Sequence, residues 1–149
     1  MAPPKNSSLF LPQKPYLPLG TLRDVLLYPH GQSDTTNDTL TEALTAVGLP
    51  RLIPQLDEQK PWPLILSLGE QQRIAFARIL LQKPQWIYMD EATSALDEAA
   101  EGELYTLLRH RLPNSTVVSV GHRSALNAYH KTRLQLTGNG AWQVIPAGA

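Results

Sequence analysis

Two adjacent carboxylates, Asp90 and Glu91, follow a continuous apolar run at 86–89. Such a run is typical of a strand buried in a parallel sheet, and open α/β sheets bind ligands at the carboxyl ends of these strands. Adjacent side chains point in different directions, so the two acids can have different tasks. Asp90 could hold Mg²⁺, usually through water, and Glu91 could orient and deprotonate an attacking water. The alternative is a strand that happens to end in an acidic turn.

A second group, Ser67-Leu68-Gly69-Glu70, precedes a long apolar segment. Ser67 and Glu70 have the spacing of a capping box, which predicts a helix start. A helix start also offers backbone amides and the positive end of the helix dipole to a phosphate. Gly69 has no Cβ, which would let a phosphate approach the backbone closely. From these residues alone, a well-capped helix and an anion site both remain open.

Two further polar residues stand at the ends of predicted elements. Asp97 closes the segment 94–97 (Ser-Ala-Leu-Asp), and by itself it is most simply a helix cap. His122 follows a β-branched strand, which places it at the same edge of the sheet as the acidic pair. A lone His is usually structural, but this position favours a role in the site.

The pattern of apolar residues, Pro and Gly predicts the elements that position these side chains. Ten of the 13 Pro lie in the first 63 residues, so this part of the chain is expected to be broken into short pieces. We predict helices at 21–28, 39–47, 67–81 and 98–112, strands at 9–11, 86–90, 115–120, 133–136 and 142–145, a turn at 138–140 and a loop at 58–63. Strands that alternate with helices indicate an α/β fold.

The composition excludes several classes of protein. The 149 residues carry 13 Lys+Arg and 13 Asp+Glu, so no excess of positive charge favours nucleic-acid binding. There is no Cys, which excludes disulfides, thiolate metal sites and Cys nucleophiles. No apolar run approaches the roughly 18 residues that span a bilayer. Apolar residues make up 42% of the chain, enough for a packed core.

The order and spacing of these motifs resemble the nucleotide-binding domain of an ABC transporter. The string LSLGEQQRIAFARILLQKPQWIYMDEATSALD runs without a gap over 66–97, and His122 follows 25 residues later. By that resemblance, 66–70 is the signature motif, Asp90 and Glu91 close the Walker B motif, 94–97 is the D-loop, His122 is the switch histidine and Gln13 is the Q-loop glutamine. Asp-Glu-Ala-Thr-Ser-Ala-Leu-Asp is typical of exporter-type domains. Leu68 in place of the commoner Gly, together with 11–20, resembles the subgroup of peroxisomal fatty-acyl transporters and bacterial peptide or vitamin permeases.

The resemblance implies ATP and Mg²⁺ as cofactors and gives each motif a role. Glu91 would be the general base and His122 the γ-phosphate contact, whereas Asp90 and Gln13 would hold the metal. The other implied nucleotide-binding residues, which would serve the nucleotide of the opposite subunit or link the two sites, are Ser67, Leu68, Gly69, Glu70 and Asp97. The implied partners are a second nucleotide-binding domain and a transmembrane domain, at the cytoplasmic face of a membrane.

One motif of the family is absent from the sequence. No G-x-x-x-x-G-K-[ST] loop, which would cradle the phosphates, occurs in the 149 residues. The resemblance therefore implies the C-terminal part of one ABC ATPase domain, with a P-loop ATPase-type parallel sheet that lacks the phosphate-loop strand. We expect partial α/β core at 1–20 and 85–149, with the three strands ending at Leu11, Asp90 and Gly121 kept in that order. An α-helical signature subdomain is expected at about 21–84.

Three functions fit this sequence to different degrees. The first is part of an ABC transporter ATPase that couples MgATP hydrolysis to transport. The second is a catalytically inactive fragment that acts at most as an interaction module. The third, a chromosome-maintenance ATPase head, shares the signature but would need adjacent coiled coil, and the sequence has no heptad tract.

Overall fold

A computed structural model describes residues 7–31 and 34–148. Residues 1–6, at the start of the predicted core segment 1–20, lie outside the described part. In chain order the elements are β1 (Ser8–Leu11), α1 (Leu22–Leu27), α2 (Asn37–Ala46), a 3₁₀ helix (Pro50–Gln55), α3 (Trp62–Ile65), α4 (Leu68–Gln82), β2 (Trp86–Asp90), α5 (Glu98–Arg111), β3 (Thr116–Val120), a second 3₁₀ helix (Ser124–Tyr129), β4 (Thr132–Gly138) and β5 (Ala141–Pro146). The predicted α/β class is confirmed. Within the described ranges, no helix is both long enough and apolar enough to cross a membrane.

The central sheet is parallel and has the order β1-β2-β3, as the sequence predicts. The strand β2 lies in the middle, with Ile87 and Met89 buried. It pairs Met89 with Leu11 of β1 and Asp90 with Val120 of β3. All three strands therefore deliver their carboxyl ends to one edge of the sheet.

The two last strands form a separate antiparallel hairpin. Its turn contains three consecutive residues with positive φ, Gly138, Asn139 and Gly140, which is the backbone conformation that the predicted Gly-Asn-Gly turn requires. Among the described residues, β3 pairs with β2 alone, so its other edge carries no strand.

Helix α4 is the axis of the helical part of the chain. Ser67 caps its first turn, and its side chains from Gln71 to Ile79 are buried except for Arg73. The Arg78 guanidinium crosses this core and donates to the carbonyl oxygens of Val25 and Tyr16, both at 2.8 Å. Burial lowers the pKa of Arg78 to about 10. The helices α1 and α2 pack on α4 through leucines that are fully buried.

The loop predicted at 58–63 is wrong at its end, because Trp62–Ile65 forms the short helix α3. Pro61 and Pro63 suggested a loop, but Pro is tolerated in the first turn of a helix, where its missing N–H has no helical partner anyway. The Trp62 side chain is completely buried, and this burial anchors the turn. The sequence analysis also predicts no helix at the neighbouring 3₁₀ helix Pro50–Gln55. This segment is rich in Pro as well, which favours a break in the chain over a helix.

Candidate functional site

Glu91 and His122 meet at the carboxyl ends of β2 and β3. The Glu91 N–H donates to the Val120 carbonyl at 2.9 Å, which fixes the chain just beyond β2. Glu91 has φ of 52°, a left-handed conformation that is uncommon outside Gly. The His122 Nε2 atom lies 3.0 Å from Glu91 Oε1, and the imidazole itself is 93% exposed. That Oε1 atom is buried and has no partner among the described residues apart from this contact with His122.

Asp90 and Gln13 lie at the same edge of the sheet. Both are exposed, and neither side chain has a hydrogen bond or ion pair with another described residue. Asp90 ends β2, and Gln13 comes two residues after β1. A carboxylate and an amide oxygen are ligands that suit Mg²⁺, which is usually held by one or two carboxylates and several waters.

The helix start at Ser67 is a complete capping box, as the sequence predicts. The Ser67 Oγ accepts from the Glu70 N–H at 3.2 Å, and the Glu70 carboxylate accepts from the Ser67 N–H at 2.9 Å. Glu70 also forms an ion pair with Arg51. Burial alone would raise the pKa of Glu70, but the hydrogen bond from Ser67 and the Arg51 guanidinium together lower it below its ordinary value.

Gly69 lies against the loop at 94–97 rather than facing open space. A Cβ at this position would come within 3.2 Å of the Ala95 carbonyl oxygen and 3.5 Å of the Leu96 side chain. The sequence offers one reason for Gly69, which is that a phosphate could approach its backbone closely. The structure gives a second reason, because a neighbouring backbone lies against this position. Leu68, the departure from the commoner Gly, is exposed beside it.

Asp97 caps the helix α5, since its carboxylate accepts from the Ala100 N–H at 2.7 Å. The loop before it is held by two residues that the sequence analysis did not single out, Gln72 and Arg123. Two features of the sequence could have identified these residues. Gln72 is a polar residue within the buried run of α4, and Arg123 directly follows His122. The Arg123 guanidinium donates to the carbonyl oxygens of Leu96 at 2.6 Å and of Ser94 at 3.0 Å.

A buried carboxylate, Glu101, lies behind the same loop. It is 1% exposed and accepts a short hydrogen bond from the Thr93 hydroxyl. Arg123 Nη1 is 3.7 Å from the same carboxylate and supplies the opposite charge. A buried charge without a partner would be strongly destabilising, so Arg123 is tied to the interior as well as to the loop.

Comparison with known proteins identifies the family. The ABC transporter family profile matches residues 3–94, more than half of the chain. The chain belongs to the ABC transporter family. Membership in this family implies ATP binding. The match includes Gln13, the signature segment and the acidic pair, although it does not by itself assign a role to any of these residues.

Several ABC proteins are similar to this chain over most of its length. An ABC transporter ATP-binding protein of Haemophilus influenzae is 46% identical over 142 residues, which are 95% of this chain and 24% of the relative. The lysosomal cobalamin transporter of Homo sapiens is 40% identical over 92% of this chain and 24% of its own length. The chain thus spans about a quarter of the length of the curated relatives that it matches.

A solved structure has the same fold. The structure of a bacterial Atm1-family ABC exporter with ATP bound superposes with a TM-score of 0.75 and 27% identity. The superposition covers 87% of this chain and 24% of the exporter chain. The mixed α/β architecture with a parallel sheet is therefore that of an ABC exporter's nucleotide-binding domain.

Proposed function

We propose that this chain is part of the ATP-binding and ATP-hydrolysing subunit of an ABC transporter, coupling MgATP hydrolysis to transport across a membrane. The observation that carries the proposal is the pair Glu91 and His122. Two residues 31 positions apart meet at 3.0 Å where parallel strands end, and the carboxylate oxygen that faces His122 has no other partner among the described residues. A carboxylate in this state can take a proton from an attacking water.

The residues at the sheet edge fit the roles that the resemblance implies. Glu91 is the general base, and His122, whose imidazole is 93% exposed, contacts the γ-phosphate. Asp90 and Gln13 hold Mg²⁺, since both side chains are exposed and engage no other described residue. Bound Mg²⁺ would neutralise the charge that develops on the phosphate oxygens.

The start of α4 serves a nucleotide held by a second nucleotide-binding domain. The N-terminus of this 15-residue helix is formed by Ser67, Leu68, Gly69 and Glu70. The helix dipole favours negative charge at this end. Asp97 links this site to the first, because the loop that it ends packs directly against Gly69. The second domain is a copy of this chain's domain or a related one.

The transmembrane partner docks beside Gln13, at the cytoplasmic face of the membrane. An apolar cavity of about 280 Å³ lies there between β1 and the end of α1. Phe10 and Tyr16 line its rim and are 60% and 62% exposed. Exposed aromatic residues at a groove are a common anchor for a partner.

The domain division predicted from the sequence rests on where the helices lie along the chain. The helices α1 to α4 all lie within 21–84, and we propose that this segment is the α-helical signature subdomain. The segments 1–20 and 85–149 would form the α/β core.

A chimera tests the proposed function. Residues 7–149 replace the matching region of the Haemophilus influenzae relative, whose remaining chain supplies the other parts of the ATPase. We expect Glu91→Gln to lower its kcat by about 10²–10⁴-fold, because the amide cannot accept a proton, with little change in ATP affinity. The control is Glu103→Gln, an exposed carboxylate on α5. A Glu91→Gln rate within about threefold of the parent would exclude Glu91 as the base.

The 149-residue chain by itself is expected to show no ATP turnover. It has no G-x-x-x-x-G-K-[ST] sequence, and phosphoryl transfer depends mostly on such positioning and electrostatic groups. Calorimetry with MgATP and a phosphate-release assay measure this. Turnover that Glu91→Gln abolishes would show that another segment replaces the phosphate loop. A chimera that binds MgATP but is inert with Glu91 intact would favour the inactive interaction module instead.

A further inference from the structure

One buried amide, that of Gln72, joins three segments of the candidate site. Gln72 lies in the second turn of α4 and has no exposed surface. Its Nε2 donates to the Gln13 carbonyl oxygen at 2.8 Å and to Ser94 Oγ at 3.1 Å. Its Oε1 accepts from the Ala95 N–H at 3.0 Å. The amide therefore uses both of its donors and one of its acceptor positions on groups outside its own helix.

We propose that Gln72 is a positioning residue that couples the segment of Gln13 to the loop at 94–97 and to the start of α4. The amide group is planar, so its three hydrogen bonds have fixed relative directions. A displacement of the Gln13 backbone cannot be accommodated without moving Ser94 and Ala95 or breaking a bond. The inference rests on the proposed function only for the roles of the segments that Gln72 joins.

Arg123 holds the loop from its other side and makes the coupling effective. Its two guanidinium bonds to the Ser94 and Leu96 carbonyls connect the loop to the residue next to His122. The contact between Gly69 and the Ala95 carbonyl closes the third side. The loop is thus confined on three sides, and a shift at one contact is transmitted to the others because packed interiors do not deform continuously.

The neighbouring residue Gln71 shows that burial alone does not explain the contacts of Gln72. Gln71 is also buried on α4, but its Nε2 donates to the carbonyl oxygens of Leu66 and Pro63, which lie just before the same helix. The nitrogen of a buried amide can therefore be satisfied by local carbonyl groups at this depth of the helix. Gln72 instead spans segments 59 and 22 residues away.

A double-mutant cycle on the 149-residue chain tests the coupling without nucleotide. The variants are Ser94→Ala, Gln72→Met and the two combined, with ¹⁵N-labelled protein at a dilution where light scattering gives a monomer. Ser94→Ala removes one bond to Gln72, so we expect the amide resonance of Lys14, which shares the Gln13 peptide group, to shift. In the Gln72→Met background the same Ser94→Ala change should leave Lys14 unmoved, because the connection is gone.

Hydrogen exchange gives a second measurement. Gln72→Met removes the acceptor of the Ala95 N–H, so its exchange should become roughly five- to tenfold faster, as expected for the loss of one hydrogen bond. The control Gln71→Met should leave Ala95 and Lys14 at their parent values. If Gln72→Met does not fold, the coupling is judged from the Ser94→Ala variant alone, by whether the amide resonance of Lys14 shifts.

Several results would overturn the coupling. The first is an amide resonance of Lys14 that does not shift in Ser94→Ala. The second is a Lys14 shift that persists in the Gln72→Met background. The third is an equal change of the Ala95 exchange rate in Gln72→Met and Gln71→Met. None of them bears on whether Glu91 is the base in the chimera, so the two proposals fail separately.

Discussion

Three residues of the candidate site also stabilise the fold by capping helices. Ser67 and Asp97 cap the helices that follow them, and Glu70 completes the capping box. Each therefore fits both readings that the sequence leaves open, a structural cap and a ligand site. Glu91 and His122 differ, because their side chains cap no helix and, among the described residues, pair only with each other. This contrast makes the Glu91–His122 pair the stronger sign of chemistry.

The first residue-scale prediction concerns Gly69, where the structure changes the expected result of a substitution. Replacing Gly by Ala in a helix normally stabilises it by up to about 1 kcal/mol. Here the new Cβ would meet the Ala95 carbonyl at 3.2 Å, and overpacking typically costs about 1–3 kcal/mol. We expect Gly69→Ala to melt at or below the parent temperature and to shift the Ala95 amide resonance. A clear rise in Tm with Ala95 unmoved would mean that the loop does not restrict this position.

The second residue-scale prediction is a pH dependence that arises from His130. Burial, with a smaller effect of Arg109, lowers the pKa of His130 below its ordinary value. The unfolded chain then binds more protons as the pH falls below about 6.5, so the free energy of unfolding falls with it. We expect His130→Phe, which keeps a ring against Tyr105, to reduce the loss of stability between pH 7 and pH 5. Urea unfolding at both pH values measures this, with exposed His110→Gln as control. An unchanged pH dependence would exclude His130 as its source.

At the scale of elements, the sequence predicts well what hydrophobic pattern and caps determine. The strand at Trp86–Asp90, the helix that Ser67 caps and the parallel order of the three strands are all confirmed. The short helices rich in Pro were missed, because burial of single side chains, Trp62 in α3 and Leu52 in the 3₁₀ helix, decides their conformation and local pattern does not. The contacts of Gln72 and Arg123 were missed for the same reason, since they join residues far apart in the chain.

The element-scale prediction concerns the start of α4. The pKa of Glu70 is lowered in the folded chain, so its contribution to stability is present above about pH 4.5 and is lost as the pH falls through the folded value. At pH 7 we expect Glu70→Gln to cost about 0.3–1 kcal/mol, because the amide can still complete the capping box but loses the charge that favours Arg51 and the helix dipole. Parent and variant should converge as the pH falls through the lowered pKa of Glu70 and the carboxyl becomes protonated. Thermal melts across this range test it, with exposed Glu103→Gln as control. A constant difference at all pH values would contradict the assignment.

At the scale of the whole molecule, burial is uneven. The helical part and β2 share one continuous core, whereas the hairpin β4–β5 has four large apolar side chains on one exposed face: Leu134, Leu136, Trp142 and Val144. Val118 and Val120 of β3 are also exposed beside an edge that pairs with no described strand. An apolar patch and an open strand edge each favour association between chains.

The final prediction is that the 149-residue chain self-associates through this apolar surface. The register pairs Leu134 with Val144 and Leu136 with Trp142, so the four side chains lie together and a charge placed among them would be buried in any face-to-face contact. We expect Leu134→Lys with Leu136→Lys to reduce the concentration-dependent rise in light scattering while leaving Tm nearly unchanged, because both positions are exposed at 61% and 77%. Leu64→Lys is the matched control, since Leu64 is 86% exposed on α3 and lies apart from the hairpin. An equal reduction by Leu64→Lys would mean that net charge, and not this face, governs association.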